Sequence, residues 1–207
     1  MFEIQKRFSF TVAISFFLAT LLSNTLFAQV APNTDELKTT YLKPNINLRQ
    51  YDQFIIRPLD LSDTRIVPPA WVDNPDPRQW VLSESNREFL KVAFRAAMRV
   101  GLEEGGKFNV VRNATNGTLQ LEIKIVSLSP YAPRDKNLTT KGYGELSFEA
   151  QLRDAQTGDL LAMYEGVQQV GDQYQENTEF NQANSFAEQF RQWGRNVSTR
   201  LEAAQKQ

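Results

Sequence analysis

The chain has 207 residues, with 23 Lys and Arg against 24 Asp and Glu, a net charge of −1, and no histidine or cysteine. Those absences exclude disulfides, thiolate nucleophiles and the Ser-His-Asp, Cys-His and common zinc constellations. The near-neutral balance contains no basic block, so the electrostatic footprint of a nucleic-acid binder is missing.

Lys6 and Arg7 precede an apolar run from Phe8 to Leu22, and a short polar stretch then ends in Leu26-Phe27-Ala28. A basic start, a short apolar middle and a small residue at the cut make up a secretory signal. The run is shorter than the roughly 18–20 residues that span a bilayer, which argues against an uncleaved anchor. The expected cut follows Ala28, with Ala31 as the alternative. Residues 1–28 are thus read as a cleaved signal peptide and residues 29–207 as one domain exported to the periplasm. With no cysteine near the cut, no lipid anchor is expected, and no second apolar segment follows. A domain of about 180 residues buries roughly 70% of its unfolded surface, so packing alone can hold it together.

Residues 29–50, with Pro32 and Pro44, read as an extended N-terminal arm. Tyr51 to Pro58 reads as a short strand whose unbroken Phe54-Ile55-Ile56 run suggests burial on both faces, with Pro58 ending it. Residues 59–82 read as a long loop carrying Pro68, Pro69, Pro75 and Pro77 together with Trp71 and Trp80. So long a loop is uncommon inside a domain and is usually functional or mobile. The two indoles either fold back as a lid or, because tryptophan is enriched at hot spots, form a contact surface. Pro68, Pro69, Trp71 and Trp80 are accordingly the candidate binding residues.

A helix is predicted from Ser85, with Ser85 and Glu88 as a capping box. Leu90, Phe94, Ala97 and Gly101 form its stripe, with Phe89, Ala93, Ala96 and Val100 beside it, and Gly105-Gly106 stops it. A brief strand at 108–111 and a turn through Asn113, Asn116 and Gly117 lead into Leu119–Leu128. That strand alternates until its phase slips near Val126, which predicts a β-bulge. Residues 129–142 read as a polar loop.

Residues 144–170 carry the clearest pattern. Leu146, Phe148, Ala150 and Leu152 alternate with polar neighbours, and Asp154–Asp159 has the chemistry of a reversal, with Thr157 as a local acceptor and Gly158 free to take positive φ. A strand–turn–strand hairpin is predicted. Residues 171–183 read as a second polar linker. Ser185 and Glu188 are then expected to cap a last helix whose stripe is Phe186, Phe190, Trp193, Val197, Leu201 and Ala204. Gly194 within it points to close packing.

Chemistry is sparse. Asp73-Asn74-Pro75-Asp76 lacks the acidic spacing of a calcium loop and reads as an Asx turn. Glu145 and Glu149 lie on the outer face of one strand rather than across a cleft. The Asn-x-Ser/Thr triplets at Asn113, Asn116, Asn137 and Asn196 have meaning only in a eukaryotic secretory pathway. Neither catalytic residues, metal nor cofactor are expected, and the chain is read as non-enzymatic.

Four stretches in fixed order resemble a known family: residues 41–61, 87–104, 118–130 and 144–162, followed by the closing helix with Trp193-Gly194. Together they are similar to the domain of unknown function 3313 (DUF3313) family of proteobacterial envelope proteins. Its members are typically lipoproteins, and this chain departs from them in having no cysteine to carry the lipid. The resemblance implies an α/β envelope domain without established catalytic residues. The fold expected from the residues is α+β, a two-layer sandwich of about five mostly antiparallel strands with two long helices on one face. The expected role is a periplasmic accessory or scaffold protein binding an envelope protein partner. The alternative is a module for a small molecule or glycan, lined by Trp71 and Trp80.

Overall fold

The computed structural model describes residues 37–133 and 138–206. The signal segment, residues 29–36 of the arm and Asn137 lie outside the described residues. The predicted hairpin is present with its turn at the expected place. Strands β7 (Gly144–Asp154) and β8 (Leu160–Val170) pair antiparallel from Gly144↔Val170 to Arg153↔Leu160. In the turn, Asp154 Oδ1 accepts from the backbone N–H groups of Gln156 and Thr157 at 2.8 and 2.9 Å, and Gly158 takes φ +79°. Asp154 Oδ2 also accepts from the buried Tyr51 hydroxyl at 2.8 Å. Burial alone would raise the Asp154 carboxyl, but the bonds from Thr157, Tyr51 and Gln156 hold it below its ordinary range.

Strand β5 (Thr118–Pro130) runs antiparallel to β7. The predicted bulge falls where pairing passes from Ile125↔Phe148 to Ser127↔Ser147, skipping Val126. One extra residue resets the phase of the pleat, so Leu128 returns to the inner face and is buried.

The sheet is larger and differently built than expected. Among the described residues it has seven strands and is mixed, not five and mostly antiparallel. Its order is β1-β8-β7-β5-β2-β4, where β1 is Leu37–Leu42, β2 is Gln53–Ile56 and β4 is Asn109–Val110. Strand β1 adds to β8 antiparallel, so residues 37–42 of the expected arm form an edge strand. Strand β2 lies parallel to both β5 and β4. A parallel return of this kind needs a crossover, and helix α1 (Glu84–Glu103) supplies it.

The loop at 59–82 is not structureless. After Pro58 ends β2, the chain keeps to the same edge of β5, bridging at Asp60↔Lys124 and pairing again in parallel as β3 (Arg65–Ile66). Leu59, Leu61 and Thr64 are buried along this edge, and the Thr64 hydroxyl donates to the Ile125 carbonyl at 2.7 Å. Within β2, Phe54 and Ile56 are buried while Ile55 is half-buried, so one face dominates. The two polar stretches flanking the hairpin also meet. Strands β6 (Thr139–Lys141) and β9 (Tyr174–Glu176) form a separate antiparallel pair.

Both helices start earlier than their predicted boxes. Ser83, not Ser85, caps α1, accepting from the Asn86 N–H, while Glu88 pairs with Lys91. Thr178 caps α2 (Glu179–Gln205), and Ser185 sits inside it with its hydroxyl donating to the Asn181 carbonyl. A serine or threonine two turns ahead of the apolar stripe satisfies the first amides equally well, and the polar first turn between them has no apolar period to mark it as helix. The α1 stripe is Leu90, Phe94, Met98, Gly101 and Leu102, while Phe89 and Val100 are exposed. The α2 stripe is buried at Phe186, Phe190, Trp193, Gly194 and Leu201.

These stripes meet each other and the inner face of the sheet in one hydrophobic cluster. Phe94 of α1 meets Phe190 of α2 edge to face at 5.3 Å, and Phe148 of β7 lies 4.6 Å from the Trp193 ring. The helices cross at Gly101 and Gly194, where the Gly101 Cα is within 3.0 Å of a Cβ built on Gly194. Close approach at the crossing explains the glycine inside each helix.

Candidate ligand cleft

The residues singled out from the sequence do not share one surface. Trp71 is 66% exposed, tilted against Tyr131 with ring centroids 6.3 Å apart. Trp80 is buried at 8% exposure, Pro69 is buried and Pro68 is half-buried. In the neighbouring acidic segment, Asp76 caps a short 3-10 helical turn (Pro77–Gln79) and pairs with Arg78 through both oxygens. The Arg78 side chain, and then its N–H, hold this carboxyl below its ordinary range. No group of three or more metal-ligating side chains occurs among the described residues.

The principal concavity lies elsewhere, between α2 and the inner face of β5, β7 and β8. It encloses about 720 Å³, within the roughly 300–1,000 Å³ range of small-molecule sites. Leu121, Ile123, Phe148, Ala150, Leu152 and Ala162 form its floor. These are the inward positions of the alternating strands, set side by side by the register: Leu121↔Leu152, Ile123↔Ala150, and Leu152↔Ala162. Trp193, Val197, Leu201 and Ala204 of α2 form one wall, while Leu37, Leu42, Ile46 and Leu48 of β1 and the segment after it close the far end. That end is pinned by Gln205, whose side-chain amide donates to the Leu48 and Tyr51 carbonyls at 2.8 and 2.7 Å.

The other end is polar. Gln168, Gln169, Asp172, Gln173 and Gln175 line it from β8, β9 and their connection, and Asn184, Glu188, Gln189 and Gln192 line it from α2. Gln168 accepts from the Trp193 indole N–H, which orients the ring against Phe148. Glu188 pairs with Arg195 at 2.8 Å and Arg191 at 3.3 Å. The arrangement can desolvate an apolar body and hydrogen-bond a polar end.

Sequence reading missed this site. Its signal was the choice of uncharged amides, rather than Lys and Glu, beside the apolar stripe of α2 and at the end of β8. A second concavity of about 360 Å³ lies between the first turns of α1 and α2, with Phe89 and Phe180 exposed at its mouth and Tyr143 lining it. Burial raises the Tyr143 hydroxyl above its ordinary range.

The family model described as Protein of unknown function (DUF3313) matches residues 19–197. The chain belongs to this family. No curated protein matches it. Among solved structures, this DUF3313 protein is similar to a Xanthomonas campestris protein of family DUF330, at 13% identity and a TM-score of 0.45, covering 83% of this chain and 95% of that one. It is also similar to the PelC dodecamer of Paraburkholderia phytofirmans, at 10% identity and a TM-score of 0.37, covering 81% and 96%. A third is a minor lipoprotein of Acinetobacter baumannii, at 7% identity and a TM-score of 0.31, covering 72% and 94%. Likenesses this distant carry no functional information. No described helix of the DUF3313 protein is long and apolar enough to cross a membrane.

Proposed function

We propose that this DUF3313 protein is a non-enzymatic accessory protein of the bacterial cell envelope, exported to the periplasm, which binds a small apolar molecule in the cleft under α2. The tripartite N-terminus and the family resemblance support the location. The cleft carries the binding role: its floor and far wall are apolar, and its polar lining is dominated by amides rather than paired acids and bases. This departs from a glycan groove beside Trp71 and Trp80, because Trp80 is buried and Trp71 faces solvent.

N-phenylnaphthylamine, which fluoresces in apolar surroundings, tests the reading. The mature protein is expected to bind it saturably. Ala150→Phe and Ala162→Phe each place a ring in the floor and are expected to weaken binding about tenfold or more, close to 1.4 kcal/mol. Both alanines are buried, so each added ring is expected to cost about 1–3 kcal/mol of stability as well, and binding is compared on variants that urea unfolding shows to be folded. Absence of saturable dye binding to the wild type would sink the proposal.

Trp71 favours a second reading, in which the Pro68–Trp80 segment contacts an envelope protein partner. A large exposed indole, four residues after the exposed Val67, is the kind of group that anchors interfaces. Trp71→Ala is expected to change stability by no more than about 0.5 kcal/mol, because the ring buries little. Trp80→Ala is expected to cost about 3–5 kcal/mol. Urea unfolding measures both. A photo-crosslinker at position 71 that captures no defined protein in periplasm would count against this reading.

A further inference from the structure

We infer that the outer face of α1 docks a short amphipathic helix of another envelope protein, one whose apolar stripe is flanked by acidic side chains. This surface is separate from the cleft and from Trp71. Phe89, Val92, Ala96 and Val100 follow one another at spacings of three, four and four, and all four are exposed. That is the helical repeat, on the side of α1 turned away from its buried stripe of Leu90, Phe94, Met98 and Gly101. Single exposed apolar residues are ordinary, but a row in helical register is a surface. Helix α2 is the internal comparison, since over its longer span it exposes one large apolar side chain, Phe180 at its start. Val92 is 68% exposed, and a β-branched residue facing water on a helix forfeits propensity that Lys or Glu would keep. Burial against a partner offsets that loss.

The shape of the row selects a helix as its occupant. It runs about 16 Å from Phe89 to Val100 at 1.5 Å per residue, or roughly three turns. Valine and alanine side chains are short, so a second helix can lie against them at about 8 Å between axes. An extended segment gains little here, because a helix surface offers no unpaired backbone groups for it to join. Insertion into a bilayer favours bulky Leu, Phe and Trp, and the row carries one such ring, Phe89.

Charge selects the flank. Between Glu88 and Glu103, α1 holds Lys91, Arg95 and Arg99, spaced four residues apart, and no acid. Lys91 is tied to Glu88 at 2.7 Å. Arg95 and Arg99 border the row on one side, are exposed, and make no ion pair among the described residues. The acids at the end of the helix are engaged elsewhere: Glu103 accepts from the Val110 N–H at 2.9 Å, and Glu104 faces Arg195 at 3.6 Å. Antiparallel pairing with a second copy would bring the Arg95 side chains together, and parallel pairing would lay both arginines over the Ala93 and Ala97 side. Carboxylates one turn apart on a partner helix meet both arginines and set the register.

Fluorescence anisotropy with the full mature protein tests this, using a synthetic amphipathic helix of about four turns. Its Leu/Ala stripe is flanked on one side by Glu, and a second peptide carries Lys in place of each Glu. The Glu peptide is expected to bind saturably and roughly tenfold more tightly than the Lys peptide at low salt, with the gap closing as salt rises. Arg95→Glu combined with Arg99→Glu is expected to reverse the preference. Val92→Gln is expected to weaken Glu-peptide binding about tenfold while leaving the urea midpoint and N-phenylnaphthylamine binding unchanged. A photolabel in the peptide's stripe is expected to mark residues 89–100. Absence of saturable binding, equal binding of the two peptides, no reversal, or labelling elsewhere overturns the inference. So does cosedimentation with phosphatidylglycerol vesicles that Val92→Gln abolishes, since the face would then serve a lipid surface. The dye reads the cleft alone, so loss of peptide binding leaves the cleft reading standing.

Discussion

Gly101→Ala is expected to lower the unfolding free energy by about 3 kcal/mol, as measured by urea denaturation. A Cβ at this position falls 2.1 Å from the Arg191 carbonyl oxygen and 2.9 Å from the Arg195 nitrogen, both backbone atoms of α2. Backbone cannot rotate away as a side-chain tip can, so the helices must separate. Separation in turn loosens the Phe94–Phe190 contact two turns away on the same interface. The sign is what makes the prediction sharp. By helix propensity alone, glycine to alanine inside a helix is worth about 1 kcal/mol of added stability. A stabilised Gly101→Ala protein would show that the crossing is wrong.

Gly194→Ala should behave in the same direction, because its Cβ meets the Met98 carbonyl oxygen at 2.7 Å and the Gly101 Cα at 2.9 Å. The double variant is expected to cost less than the two single costs combined, since one separation relieves both clashes. Gly105→Ala is the control. It lies just past α1 with nothing within 4 Å, and a change within about 0.5 kcal/mol is expected.

The second large effect is at Phe190, where truncation to alanine is expected to cost about 3–5 kcal/mol. The side chain is fully buried and meets three aromatic rings: Phe94 at 5.3 Å, Trp193 at 5.4 Å and Phe186 at 5.9 Å. Two of those rings lie on its own helix and one on α1, so the residue joins the helix pair. Its removal leaves a cavity ringed by stiff groups that cannot collapse to fill it, which places the cost at the upper part of the range. For a domain of this size the midpoint of thermal unfolding should fall by roughly 8–16 °C. Phe180→Ala, at the second residue of α2 and 73% exposed, should leave it nearly unchanged. Equal effects at the two positions would contradict the assignment of the α2 core face.

Several features were legible because they are local. Alternation in residues 146–152 needs only the two-residue pleat, and the Asp154–Gly158 turn needs only its own hydrogen bonds. The bulge near Val126 showed as a phase slip within one strand. The α2 stripe from Phe186 to Leu201 needs only the helical repeat. The two caps were misplaced because Ser83 and Ser85, or Thr178 and Ser185, offer the same chemistry within one or two turns. Which serine caps is decided by where the chain enters the helix.

Strand β3 illustrates the other limit. Two residues, Arg65 and Ile66, have no period to detect, and their identity as strand depends on Ser127 and Leu128 some sixty residues away. Parallel pairing of β2, and the addition of β1 to β8, have the same non-local origin. So does the burial of Trp80 beside an exposed Trp71, which separated two residues that composition had grouped.

The sequence by itself determined the hairpin, the two amphipathic helices, the absence of thiol and imidazole chemistry, and the family. Each of these is written in residue types or in spacings of a few positions, where short-range sterics and hydrogen bonding dominate. Only the tertiary structure decided the mixed order of the sheet, the glycine crossing of the helices and the cleft beneath α2. Those depend on which distant surfaces come into register. The cleft is the clearest case, since its floor residues carry only the pattern of core positions and line a cleft only because α2 is laid across β7 and β8.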